Sequence, residues 1–450
     1  NGIQVISRLH TLGLSRSDLM NPEANMTSLN TNIQSALSGL PTQTVQYTGT
    51  DVDDLNQFLQ NNTGKIVQLT QDIQVYKNTN GSFGIIMVPS DTILDGNGHR
   101  LVMKAGYTEA PDVGVVLYVY KDGVIPSTNC GVKNLSTDIP YVNSINVFSA
   151  DNILLENNTL NNATKSGIMI SDEYGSTVNG IIRGNTINNV GDDAIAVYGN
   201  HSNLLIDSNR ISGAKGFAGI AISCLQNGQQ IRVDNETTGP HDIIVTGNVI
   251  SGCSGEALYC IGSYKTYITY NTLRDSILEG VCLDSGCIGN YFAHNEVVNN
   301  GIAGGLPGVS IDNGIYNIVD SNNVYNNSCS GIKLVRTGLG NIIVNNICTD
   351  NAYNQMGAKS SGIDIEPLAV ETENLGYIDG LGSNWNVVLN NTVTGSHDFG
   401  VFIADDDTAN NGGSSCENVI MYNKFSSAYT FGAADFSSMS STVKNNITLN

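Results

Sequence analysis

The chain has 450 residues, of which only 14% are charged, yet its formal net charge is −21. A chain this acidic is a poor partner for nucleic acid or an anionic membrane, and it repels polyanions unless a cation bridges them. No run approaches the ~18 apolar residues of a membrane span, and the start at Asn1 without Met reads as a mature or trimmed product.

In chain order, residues 1–64 form an N-terminal segment. Within it "NTNIQSALSGL" (30–40) is a candidate short helix. "DVDDLNQFLQNN" (51–62) sets Val52, Leu55, Phe58 and Leu59 on one helical face behind an acidic first turn. A helix there would cap an open stack of strands. "KIVQLTQDIQV" (65–75) alternates as a strand, and "TILDGNGHRLVM" (92–103) reads as the first coils of a solenoid running from 65 to 450.

Two motifs then recur. One is Asn-x-[Ile/Val/Leu], with Asn158, Asn185, Asn209, Asn248, Asn271, Asn295, Asn391 and Asn423 as its asparagines. The other is x-Gly-[Ile/Val/Leu]-x-[Ile/Leu/Val], as in "SGIMI" (166–170), "EGVCL" (279–283), "SGIKL" (330–334) and "SGIDI" (361–365). Each repeat holds about three short strands and no helix-length stripe. One such turn stacked on the next at ~4.8 Å gives an all-β, parallel β-helix. Ile168, Ile195, Ile220, Leu258, Val281, Val309, Ile332, Ile363 and Val401 form one predicted core ladder. The asparagines form another, at a turn whose left-handed backbone Asn tolerates.

Stacking turns every outward position into a column. The entry column holds Asp193, Glu256 and Glu279; the mid-strand column Tyr259, Cys282, Ser310, Lys333 and Asp364; the exit column Tyr198, Asp284, Asp312 and Glu366. Carboxylates therefore gather on one face, with Tyr198, Tyr259, Lys333 and Arg336 among them. Three long excursions leave that face, 223–242, 366–385 (with Trp385) and 405–415, and are expected to wall a groove.

Carboxyl pairs one coil apart suit glycoside chemistry, because like charges this close raise one pKa and supply a proton donor. The catalytic candidates are Asp192, Asp193, Glu256, Glu279, Asp284 and Asp312. Tyr198, Tyr259, Lys333, Arg336, Asp364, Glu366 and Trp385 are the substrate-binding candidates. The expected activity is a glycoside hydrolase or glycosyl transferase on a neutral or weakly charged glycan, with no required cofactor. A second reading is a Ca²⁺-dependent lyase or epimerase on uronic acids. There Asp284, Asp312, Asp364 or Glu366 would hold the ion, and Lys333 or Arg336 would abstract the proton. A third is a non-catalytic, tailspike-like glycan binder, expected as a homo-oligomer such as a trimer, since an exposed stack tends to self-associate.

The N-terminal helix, "DGNGHRL" (95–101) and the Asn-x-Ile repeats resemble the right-handed parallel β-helix, pectate-lyase-like superfamily. That resemblance implies a secreted or extracellular, carbohydrate-active protein. "GDDAIAV" (191–197) is similar to the Gly-Asp-Asp element of polygalacturonases, where such carboxylates serve as general acid and activate water; it places Asp192 and Asp193 on the matching residues. The neighbouring elements depart from that family: Lys165-Ser166 and Phe217-Ala218-Gly219 stand where Asn-Thr-Asp and Gly-His-Gly belong. Nine cysteines without a CxxC pair read as buried fillers rather than a zinc site.

Overall fold

The computed structural model describes residues 19–77, 84–117, 119–120, 124–125, 127–173, 175–226, 229–230, 239–352, 361–367, 382–404, 415–426, 431–436 and 441–449. It is a parallel β-solenoid of about 12 turns. The chain divides into two compact units, one of Ala24–Gln229 with Pro240–Val249, the other of Asn1–Glu23, Gln230–Gly239 and Ile250–Asn450.

In the first unit, helix α1 (Pro22–Ala36, from its third residue on) and a 3-10 turn (Leu37–Gly39) precede the coils. Pro22 opens α1 because a first helical residue has no intrahelical use for its N–H. Helix α2 (Val52–Asn61) is the one foreseen at 51–62. The Asp51 carboxylate accepts from the Asp53 N–H at 3.0 Å as its N-cap, and Val52, Leu55 and Leu59 are buried.

Two expectations need correction here. The first strand is Thr44–Tyr47, paired in parallel with Ile66–Leu69, so the stack begins ahead of residue 65. The run 65–75 is two strands, Ile66–Leu69 and Ile73–Val75, in different sheets. Its alternation survives the break because the three-residue turn between them, Thr70–Asp72, rounds a corner of the coil.

Successive coils feed three parallel sheets. In the second unit the first sheet runs from Tyr264–Thr269 to Thr442–Lys444, the second from Thr272–Arg274 to Ile447–Leu449, and the third from Leu258–Ile261 to Phe431–Asp435. The third-sheet register is Leu258↔Val281↔Val309↔Ile332↔Ile363↔Val401. All six are fully buried, as the repeat predicts. Each such side chain contributes about 1.5–3 kcal/mol of apolar burial.

Asparagine spines fix the corners. Asn271, Asn295, Asn322, Asn346, Asn391 and Asn423 are all but inaccessible. Each donates both its backbone N–H and its Nδ2 to the Oδ1 of the next, for example Asn271 to Asn295 at 2.9 and 3.0 Å. The left-handed residue is not the ladder Asn itself. It is the residue before it, such as Asn157, Tyr270, His294, Ser321 or Asn390, all with φ between 55 and 57°. The ladder Asn keeps ordinary backbone angles and turns its amide inward to the neighbouring coils. Two further spines, Asn290–Asn317–Asn341–Asn386–Asn418 and Asn300–Asn327–Asn351, hold the other two corners. His397 continues the last one, accepting the Asn351 N–H on Nε2 at 3.1 Å.

Candidate functional site

In the first unit, the opening of the third-sheet strand Ile195–Tyr198 carries the acidic pair. Asp193 is fully buried rather than outward. One carboxylate oxygen accepts the Ala218 N–H at 2.7 Å and the other accepts from the Tyr198 hydroxyl. Asn143 does the first of these jobs two coils earlier, accepting the Ser166 N–H at 3.0 Å. Asp193 is thus a corner acceptor of the stack, and Asp192 is half-buried beside it.

Burial, and then the Asp192 charge, push the Asp193 carboxyl up to about 7 against its two hydrogen bonds. The sign of the linkage follows. The unfolded carboxyl ionises near 4, the folded one near 7, so this group's contribution to stability is full below the lower value and lost as pH rises through the upper one. Asp193→Asn preserves an acceptor for Ala218. It is expected to raise stability by about 1–3 kcal/mol at about pH 8 and to leave it nearly unchanged near pH 4. Urea melts at the two pH values check this; equal effects at both would show that the ionised form carries no penalty.

In the second unit, the third sheet assembles the other carboxylates. Register places Glu256 beside Glu279 at the strand entries, with the Ala257 N–H donating to the Glu279 carbonyl at 3.1 Å. The same register sets Asp284 beside Asp312 at the exits, one residue beyond the Leu283↔Ile311 pair. Between these edges lies Cys282, its thiol pushed well up by burial and then by Asp284, Glu279, Asp312 and Glu256. Four of the sequence-predicted catalytic carboxylates therefore act on one point of the face.

Each of them has a distinct setting. Burial first, then Asp312 and Asp284, push Glu279 up to about 7, against a smaller opposing pull from Lys333. Asp312 rises to about 6, through burial and Asp284, although it forms an ion pair with Arg336. Asp284 accepts from the Tyr259 hydroxyl at 2.7 Å, from the Ser285 N–H at 2.6 Å and from the Ser285 hydroxyl at 2.5 Å. Sequence reasoning placed Tyr259 and Asp284 in separate columns and missed this bond. Ser285 was missed as well, although a hydroxyl directly after an exit-column acid was visible in the sequence.

Lys333 lies between Glu366, at 2.8 Å, and Asp364, at 3.9 Å. Burial alone would lower its pKa, but the two carboxylates outweigh burial and hold it above its ordinary value. Asp364 is 1% exposed and raised well above the carboxylate range by burial and by Glu366, and it accepts from Ser330 Oγ at 3.3 Å. These ion pairs bear on the calcium expectation. The ammonium and guanidinium groups stand beside Asp312, Asp364 and Glu366, and among the described residues no three His, Cys, Asp or Glu side chains converge to hold a metal.

Trp385 stands apart from this cluster. It occupies the left-handed position (φ 59°) just before the first-sheet strand Val387–Leu389, and its indole N–H donates to Glu417. The excursions expected to wall the groove, 223–242, 366–385 and 405–415, lie largely outside the described residues. All nine cysteines are buried and none is held in a disulfide. No helix among the described residues is long and apolar enough to cross a membrane.

With this geometry in hand, the comparisons can be weighed. A family model described as "Right handed beta helix region" matches residues 125–238. This chain is a right-handed parallel β-helix protein.

The β-helix is similar to the A-module of the Azotobacter vinelandii mannuronan C-5 epimerase AlgE6 (13% identity, 89% of this chain and 100% of that one, TM-score 0.51). It is also similar to PfbA, a surface adhesin of Streptococcus pneumoniae (11% identity, 86% and 91%, TM-score 0.53). A tailspike protein mutant of E. coli bacteriophage HK620, in complex with a pentasaccharide, matches at 16% identity over 87% and 73% of the two chains, TM-score 0.52. At these identities the likeness speaks for the fold alone. No curated protein matches the sequence.

Proposed function

We propose that the carboxylates around Cys282 form the catalytic centre of a carbohydrate-active enzyme, one that hydrolyses or transfers glycosidic bonds of a poly- or oligosaccharide outside the cell. One observation carries the reading. Glu279 holds its proton up to about pH 7 while Asp284, on the opposite edge of the same strand, accepts three hydrogen bonds. Carboxyl groups in such different settings divide into acid and base. Glu279 gives its proton to the departing glycosidic oxygen. Asp284, oriented by Tyr259 and Ser285, takes a proton from water in hydrolysis or from a sugar hydroxyl in transfer. Asp312, in the same exit column, adds negative charge beside the oxocarbenium-like transition state.

The width of the face bears on stereochemistry. Five chain steps separate Glu279 from Asp284, roughly 16 Å of extended chain at most, and both act on the Cys282 thiol between them. That favours the wide carboxyl spacing of about 6.5–9.5 Å that leaves room for a water, and therefore inversion at the anomeric carbon. A panel of dextran, inulin, alginate and polygalacturonate, assayed for new reducing ends with the product anomer read by proton NMR, tests both points. Inverted product is expected. Retained product would remove Asp284 from the role of base, and no product or rearrangement on any polysaccharide would end the proposal.

The eliminative alternative asks Lys333 or Arg336 to be a base. Asp364 and Glu366 hold Lys333 as an ammonium, and Arg336 is a guanidinium paired with Asp312, which disfavours both in that role.

A further inference from the structure

We infer, resting on the glycan-active reading above, that the groove seats one neutral, hydroxyl-rich sugar residue over Cys282 and Ser310, with Asp312 accepting its hydroxyls. The outward column of successive coils reads Tyr259, Cys282, Ser310, Lys333, Asp364. Two small side chains in a row, 6% and 4% exposed, make a recess two coils long, roughly 10 Å, between the longer Tyr259 and Lys333. Glu256 and Glu279 edge it on the entry side, Asp284 and Asp312 on the exit side.

The polar atoms left over around this recess select its occupant. Asp312 Oδ1 is buried and lacks a hydrogen-bond partner. Buried acceptors without donors cost about 1–3 kcal/mol each until something supplies the donor. Asn313 Nδ2, beside Asp312, is a neutral donor in the same position. Sugar hydroxyls serve both, because each gives one hydrogen and accepts others.

A uronic acid fits poorly. The two cations of the face, Lys333 and Arg336, are engaged by Glu366, Asp364 and Asp312. A substrate carboxylate would have to break those pairs and sit among six protein carboxyls, Glu256, Glu279, Asp284, Asp312, Asp364 and Glu366.

The experiment compares dextran, inulin, alginate, polygalacturonate and the carboxyl-reduced forms of the two uronans, by turnover and by affinity electrophoresis with the full chain. The expected result is turnover confined to neutral or carboxyl-reduced polymers. Ser310→Leu should then raise KM by about tenfold or more, the scale on which a pocket registers added carbon. A uronan accepted while its carboxyl-reduced form is refused overturns the neutral-sugar assignment and leaves the glycan-active reading standing. Ser310→Leu with the parent KM, its fold confirmed by an unchanged melt, overturns the seat over Ser310. A chain that neither binds nor turns over any of these polymers overturns the underlying reading and this inference with it.

Discussion

Glu279→Gln should lower kcat by about 10²–10⁴-fold on whichever glycan the parent cleaves, the range that a positioned proton donor supplies. Gln has nearly the same shape as Glu but cannot release a proton, so loss of turnover without loss of binding identifies the missing step. The pH profile gives a second readout. With Glu279 pushed up to about 7, parent activity should fall as pH rises through that value, and the residual activity of the variant should not show this limb. Stability moves the other way. The folded protein bears the charge of a half-buried carboxylate at about pH 8, so the amide should melt at the same temperature or slightly higher. A variant with parent kcat and parent pH profile would transfer the acid role to Glu256 or Asp312.

The second large effect lies in the asparagine spine. Asn295→Ala should destabilise the second unit by about 3–5 kcal/mol, more than most single substitutions. Asn295 Oδ1 accepts the Asn271 N–H and Nδ2, and its own Nδ2 donates to the Ile268 and Ala293 carbonyls and to Asn322 Oδ1. Truncation removes all of these at once in a site that is 2% exposed, leaving several groups unpaired at about 1–3 kcal/mol each before relaxation. Asn299→Ala, four residues on, breaks only an exposed 3.3 Å bond to Asp275 and should cost far less. Guanidinium melts of the two variants decide the matter; equal midpoints would mean that water replaces the amide at no cost.

Comparison of the sequence with the structure separates what periodicity can carry from what it cannot. The core ladder from Leu258 to Val401 was legible because the pattern Gly-apolar-x-apolar fixes which side chains face inward, and a parallel stack admits no other partner for each. Grouping Glu256, Glu279, Asp284 and Asp312 needed nothing more than that register. The corners were harder to read. One asparagine spine was legible from Asn-x-Ile; the one at Asn290 was missed although Asn317, Asn341, Asn386 and Asn418 carry the same Asn-x-[Ile/Val] spacing, and the one at Asn300 was not legible because no constant apolar residue follows its asparagines. Asp193 looked outward from its place at a strand entry, yet corner acceptors point into the stack, as Asn143 does. The Tyr259–Asp284 bond and the Lys333–Glu366 pair depend on side-chain reach between neighbouring coils, which spacing along the chain does not encode.

Within each unit the asparagine spines make every coil a copy of the same joint. The step from one spine residue to the next is 24 residues between Asn271 and Asn295 and 27 between Asn295 and Asn322, yet the two joints are alike. A joint indifferent to how many residues lie between its halves lets the chain lengthen or shorten by whole coils. Such a protein can gain or lose subsites along its length by tandem duplication of genetic segments, with no need to redesign an interior.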